Sequence, residues 1–148
     1  MPYIRVTVAD ADLPTATQRA LAEGLTGLAV TALGKSRART IVHLDVVPAA
    51  RYYVDGKPLT GALDAHVEVS ITLGTNNAAE KAAFIAEAGR LLTDVLGPLA
   101  RGGVALHELH PESYGYQGVT QFDHYRQTAG AVAPRTAGVG PSGRTVMP

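Results

Sequence analysis

The chain has 148 residues, of which 46% are apolar, and its 13 basic and 13 acidic side chains give a formal net charge of zero. That balance argues against a protein that coats nucleic acid or an anionic membrane. The sequence contains no cysteine, which excludes disulfides, thiolate catalysis and Cys-ligated zinc.

The first half predicts a strand, a helix and a second strand. Apolar and polar residues alternate over Tyr3–Val8, which indicates a strand with one buried face. Residues 15–33 carry apolar side chains at three- and four-residue spacing, which predicts an amphipathic helix that Gly34 caps. A β-branched second strand is predicted over residues 39–47, opened by Arg39. A hairpin with its turn at residues 55–56 follows.

The same order of elements returns in the second half. Residues 67–73 alternate like a strand, residues 78–96 have the spacing of a second amphipathic helix, and residues 103–109 predict a fourth long strand. An aromatic–glycine segment ends at Gly118, as one ended at Gly56, 62 positions earlier. Repetition at a fixed interval is the mark of duplicated supersecondary units, so we interpret the chain as two copies of one unit.

These elements predict an α+β fold. Each unit joins its strands through a helix, so its two long strands are expected to be parallel. Two units then form one four-stranded sheet with both helices on one face. We expect residues 1–126 to be a single domain of two repeats, 1–62 and 63–126, whose other sheet face is apolar and buried against further subunits. Residues 127–148 are expected to be a disordered tail or an arm on a neighbouring subunit.

Pro2 is the residue that points most directly to chemistry. Methionine aminopeptidases remove Met before a small residue such as proline, which would leave Pro2 as a secondary amine at the head of a strand. A model α-amino group has a pKa of about 8, and burial or nearby arginines lower it. Such an amine can take a proton from an enol and return it to carbon. If Met1 is retained, the Pro2 nitrogen is an amide and cannot act as a base.

A family resemblance follows from these residues. Pro2-Tyr-Ile-Arg-Val-Thr-Val, with the helix, strand and aromatic–glycine hairpin after it, resembles the 4-oxalocrotonate tautomerase subunit. Residues 65–120 resemble a second copy without the starting proline. The chain is therefore similar to fused members of the tautomerase superfamily: fused 4-oxalocrotonate tautomerases, cis-3-chloroacrylic acid dehalogenases and malonate semialdehyde decarboxylases. The resemblance implies a β-α-β fold, a homotrimer, an active site at Pro2 and catalysis without metal or cofactor.

The sequence departs from the family at its substrate-binding residues. Asp12, and Asn76 in the second copy, stand near the position where the family has an arginine. The paired arginines of the dehalogenases are missing from residues 74–77, and their helix histidine is missing near Val30. We therefore do not expect a dehalogenase, and another group must hold an anionic substrate.

Five further residues are candidates for the site. Arg39 could bind a carboxylate through its guanidinium, although a solvated basic turn also explains it. Tyr114 falls where the family hairpin carries an aromatic that shields the proline, and Tyr52 is its neighbour by repeat. A phenol there could hydrogen bond a developing enolate, or simply pack the hairpin. His43 as a catalytic group and His107 as a substrate ligand could polarise a carbonyl, or be structural strand residues.

The expected function is a cofactor-independent enol–keto tautomerase or isomerase that acts on a small α-keto or unsaturated acid with Pro2 as general base. A hydratase or decarboxylase with Pro2 protonated, and a non-catalytic tautomerase-fold subunit, remain as alternatives. The expected partners are a small-molecule substrate and further copies in a homotrimer, with no nucleic acid, membrane or metal. No basic leader or long apolar run is present, so we expect a cytoplasmic protein.

Overall fold

The structure is a computed structural model that describes residues 1–127. The elements of the first half are β1 Tyr3–Val8, α1 Thr15–Thr31, β2 Ile41–Val46, β3 Tyr53–Val54 and β4 Lys57–Pro58. Those of the second half are β5 Ala65–Thr72, α2 Ala78–Leu96, β6 Gly103–Leu109, β7 Gly115–Tyr116, β8 Val119–Thr120 and α3 Gln121–Gln127. The predicted repetition of strand, helix, strand and hairpin is present in this order.

The four long strands form one mixed sheet in the order β2-β1-β5-β6. The outer pairs, β1 with β2 and β5 with β6, are parallel, as the crossover helices predicted. The central pair is antiparallel, with Tyr3 opposite Ser70 and Val8 opposite Ala65. The two units therefore run in opposite directions, and corresponding parts of them lie at opposite ends of the sheet.

The core lies between the sheet and the two long helices. Ile4, Val6 and Val8 of β1 are 0% exposed, and so are Phe84 and Leu92 of α2. The core cluster also contains these buried residues of α1 and β5: Leu21, Leu25, Ala29, Ala65, Val67, Val69 and Ile71. Burying one large aliphatic side chain stabilises a fold by about 1.5–3 kcal/mol. The predicted α+β class with both helices on one sheet face is confirmed.

The end of α1 turns the chain back towards the head of β1. Gly34 has a φ of 67°, and the N–H groups of Gly34 and Lys35 bond to the carbonyls of Val30 and Ala29. A left-handed glycine is the usual way to close a helix in this manner. Lys35 therefore lies directly after the C-terminal end of α1, to which its backbone N–H is bonded.

The prediction that Arg39 opens the second strand is wrong by two residues. Arg37–Arg39 form a 3-10 turn, in which the N–H of Arg39 bonds to the Ser36 carbonyl and that of Thr40 to the Arg37 carbonyl. Sheet pairing begins only at Ile41, whose N–H bonds to the Pro2 carbonyl. These hydrogen bonds fix the backbone of Arg39 in the 3-10 turn, so β2 begins after it.

The sheet face turned away from the helices is polar, so the expectation of an apolar face is wrong. Arg5 pairs with Asp45 at 2.6 Å, and Glu68 lies 3.5 Å from His66 and 3.9 Å from His107. Strand alternation explains this, because the apolar residues of β1 that are buried, Ile4, Val6 and Val8, point towards the helices and leave polar residues such as Arg5 on the other side.

The short helix α3 was not predicted. Its first residue, Gln121, donates its N–H to the Tyr114 carbonyl, and the Asp123 N–H bonds to the Thr120 hydroxyl. Seven residues are too few for a clear amphipathic period. Residues 128–148, almost all of the predicted tail, lie outside the described residues. No helix within residues 1–127 is long and apolar enough to cross a membrane.

Candidate active site

Pro2 is fully buried at the head of β1. Its carbonyl accepts a 3.1 Å hydrogen bond from the N–H of Ile41, which joins it to the first residue of β2. The half-buried Met1 precedes it, so the Pro2 nitrogen is an amide in this form of the chain. Two neighbouring strands therefore fix the position of Pro2.

The α-amino group beside Pro2 lies in an environment that disfavours a positive charge. Burial lowers the pKa of the Met1 α-amino group from 8.0 to about 6, with further lowering by the charges of Lys35 and Arg39. Desolvation and like charge act in the same direction on an amine. Burial and positive charge at the Pro2 end of the sheet therefore disfavour the protonated form of an amine.

Lys35 is a cation of this site that sequence reasoning missed. Its Nζ donates a 2.9 Å hydrogen bond to the Thr75 hydroxyl, which in turn donates to the Thr72 carbonyl at 2.6 Å. Burial lowers the pKa of Lys35, while Glu80 acts to raise it. The sequence signal for Lys35 was its position directly after Gly34, the glycine that closes α1. In a parallel β-α-β crossover, the C-terminal end of the helix returns to the end of the sheet at which the first strand begins.

Arg39 is the second cation near the amino terminus. Its neighbour Arg37 forms a salt bridge with Glu23, and so is engaged on helix α1. Within residues 1–127, the exposed Arg39 side chain forms no ion pair or hydrogen bond. Its positive charge nevertheless lowers the pKa of the Met1 α-amino group. The structure therefore brings Arg39 to the Pro2 end of the sheet, where the sequence predicted it.

Tyr114 reaches the same place from the hairpin of the second unit. Its hydroxyl donates a 2.6 Å hydrogen bond to the Met1 carbonyl and lies 3.3 Å from the Ser70 carbonyl. Burial raises the pKa of Tyr114, while a hydrogen bond from the Tyr3 backbone N–H acts to lower it. The phenol is therefore a proton donor at neutral pH, fixed at the residue that precedes Pro2.

The other predicted site residues lie elsewhere. The Nδ1 of His43 is 2.7 Å from the Tyr3 hydroxyl, and His107 lies by Glu68; both histidines are on the polar sheet face. Tyr52 lies at the opposite end of the sheet, beside Asp64. Among the described residues, no hydrogen bond or ion pair links His43, His107 or Tyr52 to the groups around Pro2.

The two positions where the family arginine is missing have structural explanations. Asn76 is buried, and its Nδ2 donates at 2.9 Å to the carbonyl of Leu33, which joins the end of α1 to the loop before α2. Asp12 is exposed in a turn, where its N–H bonds to the Asp10 carboxylate. Neither can supply a cation, whereas Lys35 and Arg39 both stand near the amino terminus.

Sequence comparison matches the first unit of the chain to a family. Residues 2–62 match the model of the tautomerase enzyme family. No curated protein matches the chain in sequence. The family match covers the first unit, which contains Pro2, Lys35 and Arg39.

Solved structures share the fold over both units. The crystal structure of Pt0534 inactivated by 2-oxo-3-pentynoate aligns with a TM-score of 0.75 and 19% identity, over 82% of this chain and 98% of that one. An asymmetric trimer of the fused 4-OT named R7 aligns with a TM-score of 0.72 and 22% identity, over 80% and 95%. A macrophage migration inhibitory factor-like protein from Entamoeba histolytica gives 0.63 and 16%, over 80% and 97%.

The fold is of the tautomerase type, built from two β-α-β units. Residues 2–62 match the tautomerase enzyme family, and both units share the fold of the solved structures above. The family match and the shared fold support a tautomerase-fold enzyme in general. They do not specify a substrate, because one fold serves several reactions.

Proposed function

We propose that the chain is a cofactor-independent enol–keto tautomerase in which Pro2, freed by removal of Met1, is the general base. Its substrate is a small α-keto or unsaturated carboxylic acid in the enol form. The observation that carries the proposal is the amino-terminal environment, where Lys35, Arg39 and Tyr114 meet around the head of β1.

The charge environment supports a base rather than an acid. The conditions that lower the pKa of the Met1 amine, burial followed by Lys35 and Arg39, act on a Pro2 amine in the same direction. Pro2 is also more deeply buried than Met1. The amine is therefore neutral at pH values where an ordinary α-amino group is still largely protonated.

Tyr114 would stand close to that amine. The Met1 carbonyl oxygen and the Pro2 nitrogen are bonded to the same carbon, which places them about 2.2 Å apart. The Tyr114 hydroxyl is 2.6 Å from that oxygen, so it lies within about 5 Å of the Pro2 nitrogen. Loss of Met1 removes the nearer acceptor of this hydroxyl and leaves only the longer 3.3 Å bond to the Ser70 carbonyl, which a substrate oxygen would replace.

The reaction needs no external reagent. The Pro2 nitrogen takes the proton of the enol hydroxyl, the oxygen forms the carbonyl, and the C=C electron pair takes a proton back from the Pro2 ammonium at carbon. Lys35 and Arg39 bind the substrate carboxylate, and Tyr114 donates a hydrogen bond to the oxygen while it carries negative charge. Pro2 ends in its starting protonation state, so the cycle is balanced.

Ketonisation of phenylenolpyruvate by the wild type and by Pro2→Ala tests this role. General acid–base catalysis contributes roughly 10²–10⁴-fold, and we expect kcat/KM to fall by about 100-fold because the primary amine of alanine is a partial substitute. Pro14→Ala, at an exposed proline before α1, is the matched control and should keep the wild-type rate. Equal rates for Pro2→Ala and the wild type would exclude Pro2 as the base.

We also propose that the chain forms a homotrimer. Solved neighbours of the same fold include symmetric and asymmetric trimers of fused 4-OT proteins. The polar sheet face, with Arg5, Asp45 and Glu68, is the surface we expect to be covered by other copies. Native mass spectrometry should give three chains per particle. A particle of one chain contradicts this assembly.

A further inference from the structure

A second groove lies at the end of the sheet opposite to Pro2. Its volume is about 750 Å³, within the range of small-molecule sites. It is lined by Arg51, Tyr52, Tyr53, Val54, Asp55, Asp64, His66, Arg101 and Gly103. The residues come from the hairpin of the first unit and the strand starts of the second, whereas Tyr114 at the Pro2 site comes from the hairpin of the second unit.

The two-unit architecture relates this groove to the Pro2 site. Asp64 stands 62 positions after Pro2 in the sequence, immediately before β5 as Pro2 immediately precedes β1. At the same interval, Arg101 corresponds to Arg39. Tyr52 precedes Tyr114 by this interval, and each tyrosine reaches the strand start of the other unit. The groove is therefore the second-unit counterpart of the Pro2 site, with a carboxylate in place of the amine.

Asp64 is engaged with the backbone. The residue is 1% exposed, and its Oδ1 accepts hydrogen bonds from the N–H groups of Arg101 at 2.9 Å and Gly102 at 2.8 Å. The Tyr52 phenol lies beside the same carboxylate. The two backbone bonds engage Oδ1 without using any arginine side chain, whereas Oδ2 is buried without a hydrogen-bond partner among the described residues.

Two guanidinium groups line the groove without a partner of their own. Arg51 and Arg101 are exposed, and neither forms an ion pair or a side-chain hydrogen bond among residues 1–127. Asp55, the other acid of the groove, is an exposed residue of the β3–β4 turn, where solvent and salt screen its charge. The groove therefore offers two planar donors of the kind that suits a carboxylate.

The walls of the groove add an aromatic surface. Tyr53 is 61% exposed, which leaves most of its side chain accessible to a ligand in the groove. His66 packs against the backbone of Gly103, where a Cβ would lie 2.5 Å from its Nδ1, so only glycine leaves room for the imidazole in that position. A flat hydrocarbon group in the groove could pack against the rings of Tyr53 and His66.

We propose that this groove binds a small carboxylic acid with a flat unsaturated or aromatic part, held by Arg51 and Arg101 and packed against Tyr53. The site binds without turnover, because the position of the catalytic amine is taken by a carboxylate already bonded to the backbone. Each chain would therefore bind a ligand of the proposed substrate class at a second site, separate from Pro2.

Benzoate, which cannot tautomerise, is a suitable probe. We expect titration of the ¹⁵N-labelled full chain to shift the amide signals of Val54 and Gly103 in a saturable manner. Arg51→Gln with Arg101→Gln should weaken this binding by about tenfold or more, since a bidentate charge partner is lost. The backbone N–H of residue 101 remains, so Asp64 keeps its bonds and the fold is retained. Arg19→Gln, on the exposed face of α1, is the matched control and should bind as the wild type does.

Benzoate binding in the groove can be judged independently of the proposed activity, because the amide signals distinguish the two ends of the sheet. The same variants can also be assayed for ketonisation. Benzoate shifts at residues 35 and 39 without shifts at Val54 and Gly103 would overturn the second site. Equal benzoate affinity in the double variant and the wild type would also overturn it. Loss of ketonisation in Pro2→Ala has no bearing on either outcome.

Discussion

The Tyr114 hydroxyl donates a 2.6 Å hydrogen bond to the carbonyl oxygen of Met1. This bond joins the hairpin of the second unit to the first residue of the chain, more than 100 positions away. It places a phenol beside the Pro2 nitrogen, which is an amine only in the proposed chain without Met1. The two units therefore build one site together, although the family match covers only the first of them.

Tyr114→Phe should lower kcat more than it raises KM. The phenol is proposed to stabilise the enolate oxygen, and loss of one such donor costs roughly 100-fold in kcat. Steady-state ketonisation of phenylenolpyruvate measures the effect. Tyr116→Phe is the control, because Tyr116 stacks on His124 at 4.3 Å within the same hairpin region and does not contact Met1. An unchanged kcat in Tyr114→Phe contradicts a role in the reaction.

Lys35→Gln should raise KM by about tenfold, which corresponds to about 1.4 kcal/mol, because the substrate carboxylate loses a charged partner. It should also move the pH–rate inflection to higher pH, since Lys35 lowers the pKa of the neighbouring amine. A purely structural lysine would not produce that second effect. Lys57→Gln, in the exposed hairpin of the first unit, is the control. A KM and an inflection equal to those of the wild type would rule out Lys35 as a site residue.

The pH dependence of kcat/KM distinguishes a base from an acid at Pro2. A base acts when neutral, so activity is lost as pH falls through the pKa of the amine and is fully present above it. Burial, Lys35 and Arg39 lower the pKa of the amino terminus, so the inflection should lie below the ordinary value of 8.0. Activity that falls with increasing pH over this range would instead support the hydratase or decarboxylase alternative.

Much of the fold followed from the sequence, because local patterns determine it. Alternation predicted β1, and helical spacing with capping residues predicted α2, whose N-cap Asn77 forms reciprocal capping bonds with Glu80. The polar sheet face was present in the same alternation, since Arg5 and Glu68 lie on the side away from the core. The outer face was expected to be apolar on the basis of the buried residues of each strand alone, which lie on the opposite face.

The site was less predictable because it depends on contacts between the two units. Lys35 is held by Thr75, 40 positions away, and its placement requires the left-handed Gly34. Tyr52 and Tyr114 are equivalent by repeat, yet the antiparallel β1–β5 pairing puts them at opposite ends of the sheet. Pro2 could be proposed from the sequence because the role proposed for it depends on its position directly after Met1.

Asp64→Asn should destabilise the protein at neutral pH by about 2 kcal/mol, because two backbone N–H groups lose a charged acceptor. Burial raises the pKa of Asp64, but the N–H groups of Gly102 and Arg101, with Tyr52, outweigh it and lower the pKa below 3.8. The stability due to ionised Asp64 is therefore present above pH 3.8 and lost as pH falls through the folded-state pKa.

Urea unfolding of Asp64→Asn and the wild type at neutral and acidic pH measures this contribution. The difference between them should shrink in acid. Asp55→Asn is the control, since asparagine tolerates the positive φ of this exposed turn as aspartate does. A difference that is the same at both pH values contradicts the assigned role of the charge.

The most direct test is the mass of the amino-terminal peptide after treatment with 2-oxo-3-pentynoate, the reagent that inactivated Pt0534. A neutral secondary amine adds to the conjugated alkyne, with its proton transferred to the adjacent carbon, so the peptide gains the whole mass of the reagent. We predict a peptide that begins at Pro2 and carries this adduct on its nitrogen. A peptide that retains Met1, or one that begins at Pro2 and stays unmodified, contradicts a reactive Pro2 amine.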